Sequence, residues 1–204
     1  MPVNLQQEKR AVSTLASLYT LRMLGLFLVL PILSLYGANY TASTPVLIGI
    51  AMGMYGATQA VLQIPLSVLS DRVGRRGIII AGLALFVVGS VVAALSSSIY
   101  GLIIGRALQG AGAISGTLMA MVSDLTSEQN RTKAMATIGA SIGVSFGVAM
   151  MLGPILAHWS GLSGVFWITA ALGVAGFFLV VFLLPEAPVE TLPFPPPGTL
   201  PLPL

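Results

Sequence analysis

Six apolar stretches, each long enough to cross a bilayer as a helix, fill most of this chain and leave it little choice of fold. They run Val12–Leu35, Val46–Ser70, Ile78–Leu95, Ile99–Leu125, Ala134–Ala157 and Val165–Leu184, and a spanning helix needs roughly 20 residues. Only 7% of the 204 residues are charged, whereas 56% are hydrophobic. A soluble globule of that composition could not cover its own core with polar surface. The chain therefore reads as an all-α membrane protein of six transmembrane helices, with the lipid bilayer as its first partner. Pro31, Pro65 and Pro154 lie inside the first, second and fifth spans, where neighbouring helices can satisfy the carbonyls a proline frees.

Charge sets the expected topology. Lys9 and Arg10 precede the first span, Arg72, Arg75 and Arg76 join the second to the third, and Arg131 and Lys133 join the fourth to the fifth. The other three connections, Tyr36–Pro45, Ser96–Ser98 and His158–Gly164, carry no Lys or Arg. All loop cations fall on one side, which the positive-inside rule makes cytoplasmic, together with both termini. A net charge of +3 built from so few residues is a topology signal and implies no nucleic-acid partner. The first span is too long for the apolar core of a signal peptide, and no A-x-A site follows it. The expected organisation is a cytoplasmic N-terminus over 1–11, a six-helix domain over 12–184 and a cytoplasmic tail over 185–204. Eight of the thirteen prolines lie in that tail, which suits polyproline-like or disordered chain and forbids a further helix. With no cysteine and a single histidine, disulfides, thiolate chemistry and a metal site are not expected, and no cofactor is implied.

Two charges are set deep within spans, Arg22 in the first and Arg106 in the fourth. Arg22 lies ten residues past Val12, about 15 Å in at 1.5 Å per residue. An arginine there costs about 2.5–3.5 kcal/mol on insertion scales and by default marks a wet cavity or a partner. The structural alternative is an arginine that bonds backbone carbonyls of a broken neighbouring helix. In the second span Tyr55, Gln59 and Gln63 form a polar stripe at i, i+4, i+8, with Gly49, Gly53 and Ala57 on the opposite face. The stripe is expected to line a cavity, with interhelical bonding the alternative. Gly139, Gly143 and Gly147 form a glycine face in the fifth span, of the kind that lets helices pack closely in lipid. Gln109 follows Arg106 on the next turn. An intramembrane arginine followed closely by glycine, in Arg22-Met23-Leu24-Gly25 and again in Arg106-Ala107-Leu108-Gln109-Gly110, hints at two three-helix inverted repeats.

The connection Ser67-Val68-Leu69-Ser70-Asp71-Arg72-Val73-Gly74-Arg75-Arg76 carries the strongest local signal. Asp71 closes a helix, where the macrodipole disfavours an anion, so it needs a cation or another helix N-terminus nearby. Gly74 permits a tight reversal. Arg75 and Arg76 can reach acids at this face, of which Asp124 is the nearest candidate.

Asp71-Arg72-Val73-Gly74-Arg75-Arg76 resembles motif A of the major facilitator superfamily. Arg106-Ala107-Leu108-Gln109-Gly110 is similar to motif B, Gly153-Pro154 to the core of motif C, and Gly25 with Pro31 to the first-helix motif of drug/proton antiporters. The resemblance covers about residues 10 to 185, as the N-terminal six-helix half of such a transporter in a bacterial inner membrane. It implies alternating access, with a small-molecule substrate held at midplane between two six-helix halves. Asp71, Arg75 and Asp124 would form a charge relay latching the outward-facing state, flanked by Arg72, Gly74 and Arg76. Arg106 and Gln109 would face the central cavity, Arg106 serving proton coupling; the glutamines and two arginines permit an anionic or polar solute as cargo, and the abundant Met and aromatic residues an amphipathic drug.

The sequence departs from the family at Ser67, where motif A begins with glycine, and at Ala157 and His158, where motif C continues with two glycines. No Asp or Glu lies deep in any span. Six helices stand where the family has twelve, so the expected partner is a missing C-terminal half or a second copy. An inert truncated fragment is the alternative. A rival from another class is an intramembrane serine protease: Gly161-Leu162-Ser163-Gly164 matches the G-x-S-G of rhomboid-type enzymes. That chemistry needs a histidine base placed by the fold beside the serine, but the only histidine, His158, lies in the same connection and not on a later helix, which disfavours it. A channel is disfavoured, because no N-P-A pair interrupts the spans.

Overall fold

A computed structural model describes residues 5–184 as a bundle of helices. In chain order these are α1 (Leu5–Tyr36), α2 (Pro45–Val73), α3 (Arg75–Leu95), α4 (Ile99–Ala111), α5 (Ser115–Leu125) and α6 (Glu128–Leu183), with a 3-10 turn at Gly37–Asn39 after α1. The proline-rich tail expected over 185–204 lies outside the described residues, as do residues 1–4.

Local chemistry explains most of the boundaries. α2 starts at Pro45, whose missing N–H costs nothing in a first turn, and the Thr44 side chain caps it by accepting from the Leu47 amide at 3.2 Å. Gly74 alone separates α2 from α3, at φ 105°, a backbone region that a side chain would strain. α1 begins seven residues before the expected Val12 because Glu8, Lys9 and Arg10 continue the helix. Residues 5–11 of the expected N-terminal segment are thus part of α1.

Two other expectations need correction. The fourth span, expected unbroken over Ile99–Leu125, is interrupted at residues 112–114 and continues as α5. The break follows from crowding: a methyl on Gly112 would collide with the Gly82 carbonyl of α3, and one on Gly82 with Ile114. The connection expected over His158–Gly164 is also absent as a loop. The chain reverses at one residue, Gly161 (φ 66°), within α6. That divides α6 into an N-terminal arm, 128–160, and a C-terminal arm, 162–183. α1, α2, α3 and α6 are each long and apolar enough to cross a membrane. α4 and α5 are each too short, and together make one broken span.

Helix contacts come in pairs that exchange when the first three spans swap with the last three. α1 packs on the N-terminal arm of α6, where Ser145 Oγ donates to the Thr20 carbonyl at 3.3 Å and Phe27 meets Phe146 edge-on. Correspondingly, α4 packs on α2, so closely that a methyl on Gly110 would strike the Tyr55 carbonyl. α1 also meets the C-terminal arm through Thr169 Oγ1 and the Gly25 carbonyl, 3.2 Å apart. Its counterpart is α4 on α3, where Gly105 and Gly89 face each other. α3 and the C-terminal arm close the pattern, Gly173 lying against Phe86 and Val87. These are two three-helix repeats, and their outward faces are apolar: Met151 and Phe182 are each 74% exposed.

Candidate functional site

Three polar clusters are built into this apolar bundle. The first lies between α2, α3 and α4. Arg106 is 1% exposed and its Nη1 donates to Gln109 Oε1 at 2.8 Å. Gln109 Nε2 passes the chain on to Ser90 Oγ at 2.8 Å, and Ser90 ends it on the Phe86 carbonyl at 2.7 Å. The guanidinium lies 4.8 Å from the Tyr55 ring centroid, a cation–π contact, and Nε reaches the Ala51 carbonyl at 3.4 Å. Arg106 Nη2, Tyr55 Oη and Gln59 Oε1 are buried without a hydrogen-bond partner among the described residues.

The second cluster closes the break between α4 and α5. Arg22 Nη2 donates to the Gly112 carbonyl at 2.9 Å and Nη1 to Ser115 Oγ at 2.7 Å. Tyr19, one turn below, donates to the Ser115 carbonyl at 2.8 Å. Interrupting a helix inside a membrane leaves carbonyls that water cannot reach; Arg22 supplies a donor to that of Gly112 and Tyr19 to that of Ser115. This is the geometry of the structural alternative, a brace on a broken neighbour.

The third cluster sits at the bundle end that carries the loop cations. Arg75 bridges two acids, with Nη1 2.5 Å from Asp71 Oδ1 and Nε 2.7 Å from Asp124 Oδ2. It also donates to Ser70 Oγ at 3.1 Å. Asp71, unfavourable at the end of α2, is thereby offset by a cation that α3 presents four residues later. Arg76 reaches the last turn of α6, donating to the Val181 carbonyl at 2.6 Å, where the helix dipole favours a cation. Arg72 is exposed.

Tyr55 is buried under Arg106, Gln59 is half-buried, and Gln63 packs against Gly116 of α5. Among the described residues the polar stripe therefore faces α4 and α5. Gly49 and Gly53 have nothing within 4 Å. The close crossing of α2 and α4 is made possible by Gly110, on the other helix. Gly139, Gly143 and Gly147 likewise pack on nothing within 4 Å, so the expected helix-packing face of the fifth span finds no partner among the described residues. Gly153 does pack, its Cβ position lying 3.3 Å from the Leu28 carbonyl, while Pro154 beside it is exposed.

One site residue escaped the sequence reading. Glu8 is 4% exposed and caps α6, accepting from the Ser127 amide at 3.0 Å and from Asn130 Nδ2 at 3.2 Å. Its partners lie more than a hundred residues away, beyond any local pattern. The protease reading loses its geometry: Ser163 Oγ donates to the Ala94 carbonyl at 2.5 Å and so closes the end of α3, while His158 is exposed against Trp159.

The bundle is thus two three-helix repeats, with an arginine buried in the first span of each and a charge bridge at the cation-rich end. The chain belongs to the Major Facilitator Superfamily, whose family pattern matches residues 15–204. It is 54% identical over 185 residues to the inner membrane transport protein YajR of Escherichia coli K12, covering 91% of this chain and 41% of that protein, as its N-terminal half. It is 29% identical to the class B tetracycline resistance protein of Escherichia coli, covering 80% of this chain and 41% of that one. The fold is similar to that of the human organic anion transporter MFSD10, with a TM-score of 0.75 at 24% identity, over 90% of this chain and 49% of that chain. The chain thus spans less than half the length of these relatives.

Proposed function

We infer that this chain is the N-terminal half of an alternating-access transporter that moves a small solute or drug, by proton-coupled efflux, across a bacterial inner membrane with both termini cytoplasmic. The observation that carries the reading is the Asp71–Arg75–Asp124 bridge. It joins the α2–α3 turn to the end of α5 through partly exposed side chains, so it can break and reform as the bundle moves. Arg106 is the coupling residue: it is buried, held by Gln109, and keeps one nitrogen without a partner, the condition under which an intramembrane charge is functional by default.

A second half is required, and its seat is the pair of unfilled small-residue faces, Gly49 and Gly53 on α2 and Gly139, Gly143 and Gly147 on α6. Small residues let backbones approach where no hydrophobic effect drives association. Alone, the chain has one wall of a cavity and does not transport. The test is dye efflux from cells that make this chain alone, or together with the separately expressed C-terminal half of the Escherichia coli relative. Efflux is expected only with both halves and is abolished by Arg106→Ala. Efflux that is indifferent to Arg106→Ala overturns the coupling role.

A further inference from the structure

Outside the three clusters, a groove of about 500 Å³ runs between α1 and the N-terminal arm of α6 at the cation-rich end of the bundle. Its two walls repeat the same device. α1 presents Lys9, Ser13 and Ser17, and α6 presents Lys133, Thr137 and Ser141, each a lysine followed by two hydroxyls at successive turns. Both lysines are exposed at the mouth. The acid beside them, Glu8, is turned to Ser127 and Asn130, and two lysines against this one carboxylate leave the mouth with an excess of positive charge.

Deeper in, the chemistry changes. The hydroxyls of Thr20, Thr137 and Ser141 donate back to the carbonyls of Ala16, Lys133 and Thr137, each at 2.9 Å. Those three hydroxyls are thus spent on backbone, leaving Ser13 and Ser17 as the open ones, and Val12, Ala16 and Ala134 add carbon between the walls. From Lys9 to Thr20 the groove descends eleven residues, about 16 Å at 1.5 Å per residue. A cationic mouth at headgroup level above an apolar channel fits an anionic amphiphile. A free phosphate would leave most of the volume empty.

We propose that this groove binds an anionic phospholipid of the adjoining leaflet, its phosphate held between Lys9 and Lys133 and an acyl chain lying between α1 and α6. The test is mass spectrometry of the intact chain released from detergent, with dioleoyl phosphatidylglycerol, dioleoyl phosphatidylcholine or inorganic phosphate added. One phosphatidylglycerol adduct is expected, in preference to phosphatidylcholine and unaffected by inorganic phosphate. The K9Q/K133Q double variant should weaken it about thirtyfold, since each basic residue at an anionic surface is worth about fivefold. Ser17→Leu keeps both lysines but fills the wall, and should weaken the adduct as well. Arg131→Gln, a cation outside the groove, should not. Equal loss in Arg131→Gln, an unaffected Ser17→Leu, or displacement by inorganic phosphate overturns the lipid site. So does a Ser17→Leu chain that keeps the lipid but no longer binds the second half, which gives the groove to a helix of that half.

Discussion

The Arg22 guanidinium lies 2.9 Å from the carbonyl of Gly112, the residue at which the fourth span stops being a helix. A charge near the middle of one span thereby satisfies the backbone of another, 90 residues on. The break in turn lets α3 cross close by, Gly82 against Gly112. Arginine and break are one feature seen from two helices.

Arg22→Met should therefore destabilise the isolated chain. Two charge-assisted hydrogen bonds vanish, at about 1.5–3 kcal/mol each. Thermal unfolding in detergent, followed by helical circular dichroism, checks this. Ser115→Ala removes only one partner and should cost less, and the double variant should show coupling between the two sites.

Glycine substitutions should divide by face. Gly110→Ala drives a methyl into Thr58 Oγ1 and the Tyr55 carbonyl, and overpacking of this kind costs about 1–3 kcal/mol. Gly143→Ala meets nothing within 4 Å, and swapping glycine for alanine inside a helix gains about 0.5–1 kcal/mol. The first variant should melt lower than the parent and the second no lower.

Much of this architecture is legible in the sequence, because span length and hydropathy are local and the loop cations are few. The Asp71–Gly74–Arg75 turn is legible for the same reason: its geometry is decided within five residues. What was hidden depends on which helix meets which. The stripe of Tyr55, Gln59 and Gln63 shows that α2 has two faces, but periodicity cannot say which one meets α4. Gly110 and Gly112 look like ordinary packing glycines until α2 and α3 are seen against them. A reversal at Gly161 alone replaces a seven-residue connection because Gly can take φ 66° where other residues would be strained.

Removing the Asp71–Arg75–Asp124 bridge should separate stability from function, if it acts as the proposed latch. Asp71 and Asp124 are 55% and 39% exposed at their side chains, and ion pairs that open to water are worth about 0–1 kcal/mol. Asp124→Asn should leave the melting temperature of the chain nearly unchanged. In cells that also make the second half, the same variant should lower dye efflux severalfold. A large loss of stability with normal efflux would make the bridge a structural pair.

The buried chain from Arg106 to Ser90 predicts a larger cost for its middle member. Gln109→Leu breaks both its bonds and leaves Arg106 Nη1 without an acceptor, while Ser90 keeps the Phe86 carbonyl; a buried charged donor left unsatisfied costs about 1–3 kcal/mol or more. Ser90→Ala leaves only a neutral donor, Gln109 Nε2, without its acceptor and should cost less, because charged groups carry the larger penalty. Melting of the two variants in the same detergent compares them directly.

The central claim is that a second six-helix half seats on the open glycine faces. The chain contains no cysteine, so a single Gly143→Cys gives an unambiguous crosslinking handle. In membranes that also hold the C-terminal half of the Escherichia coli relative, carrying one cysteine at a time along its helices, oxidation should link Gly143→Cys to one helix face of that half. A lipid-phase maleimide should then label it poorly. Rapid maleimide labelling with no crosslink at any position, or a crosslink only to a second copy of this chain, would contradict the account.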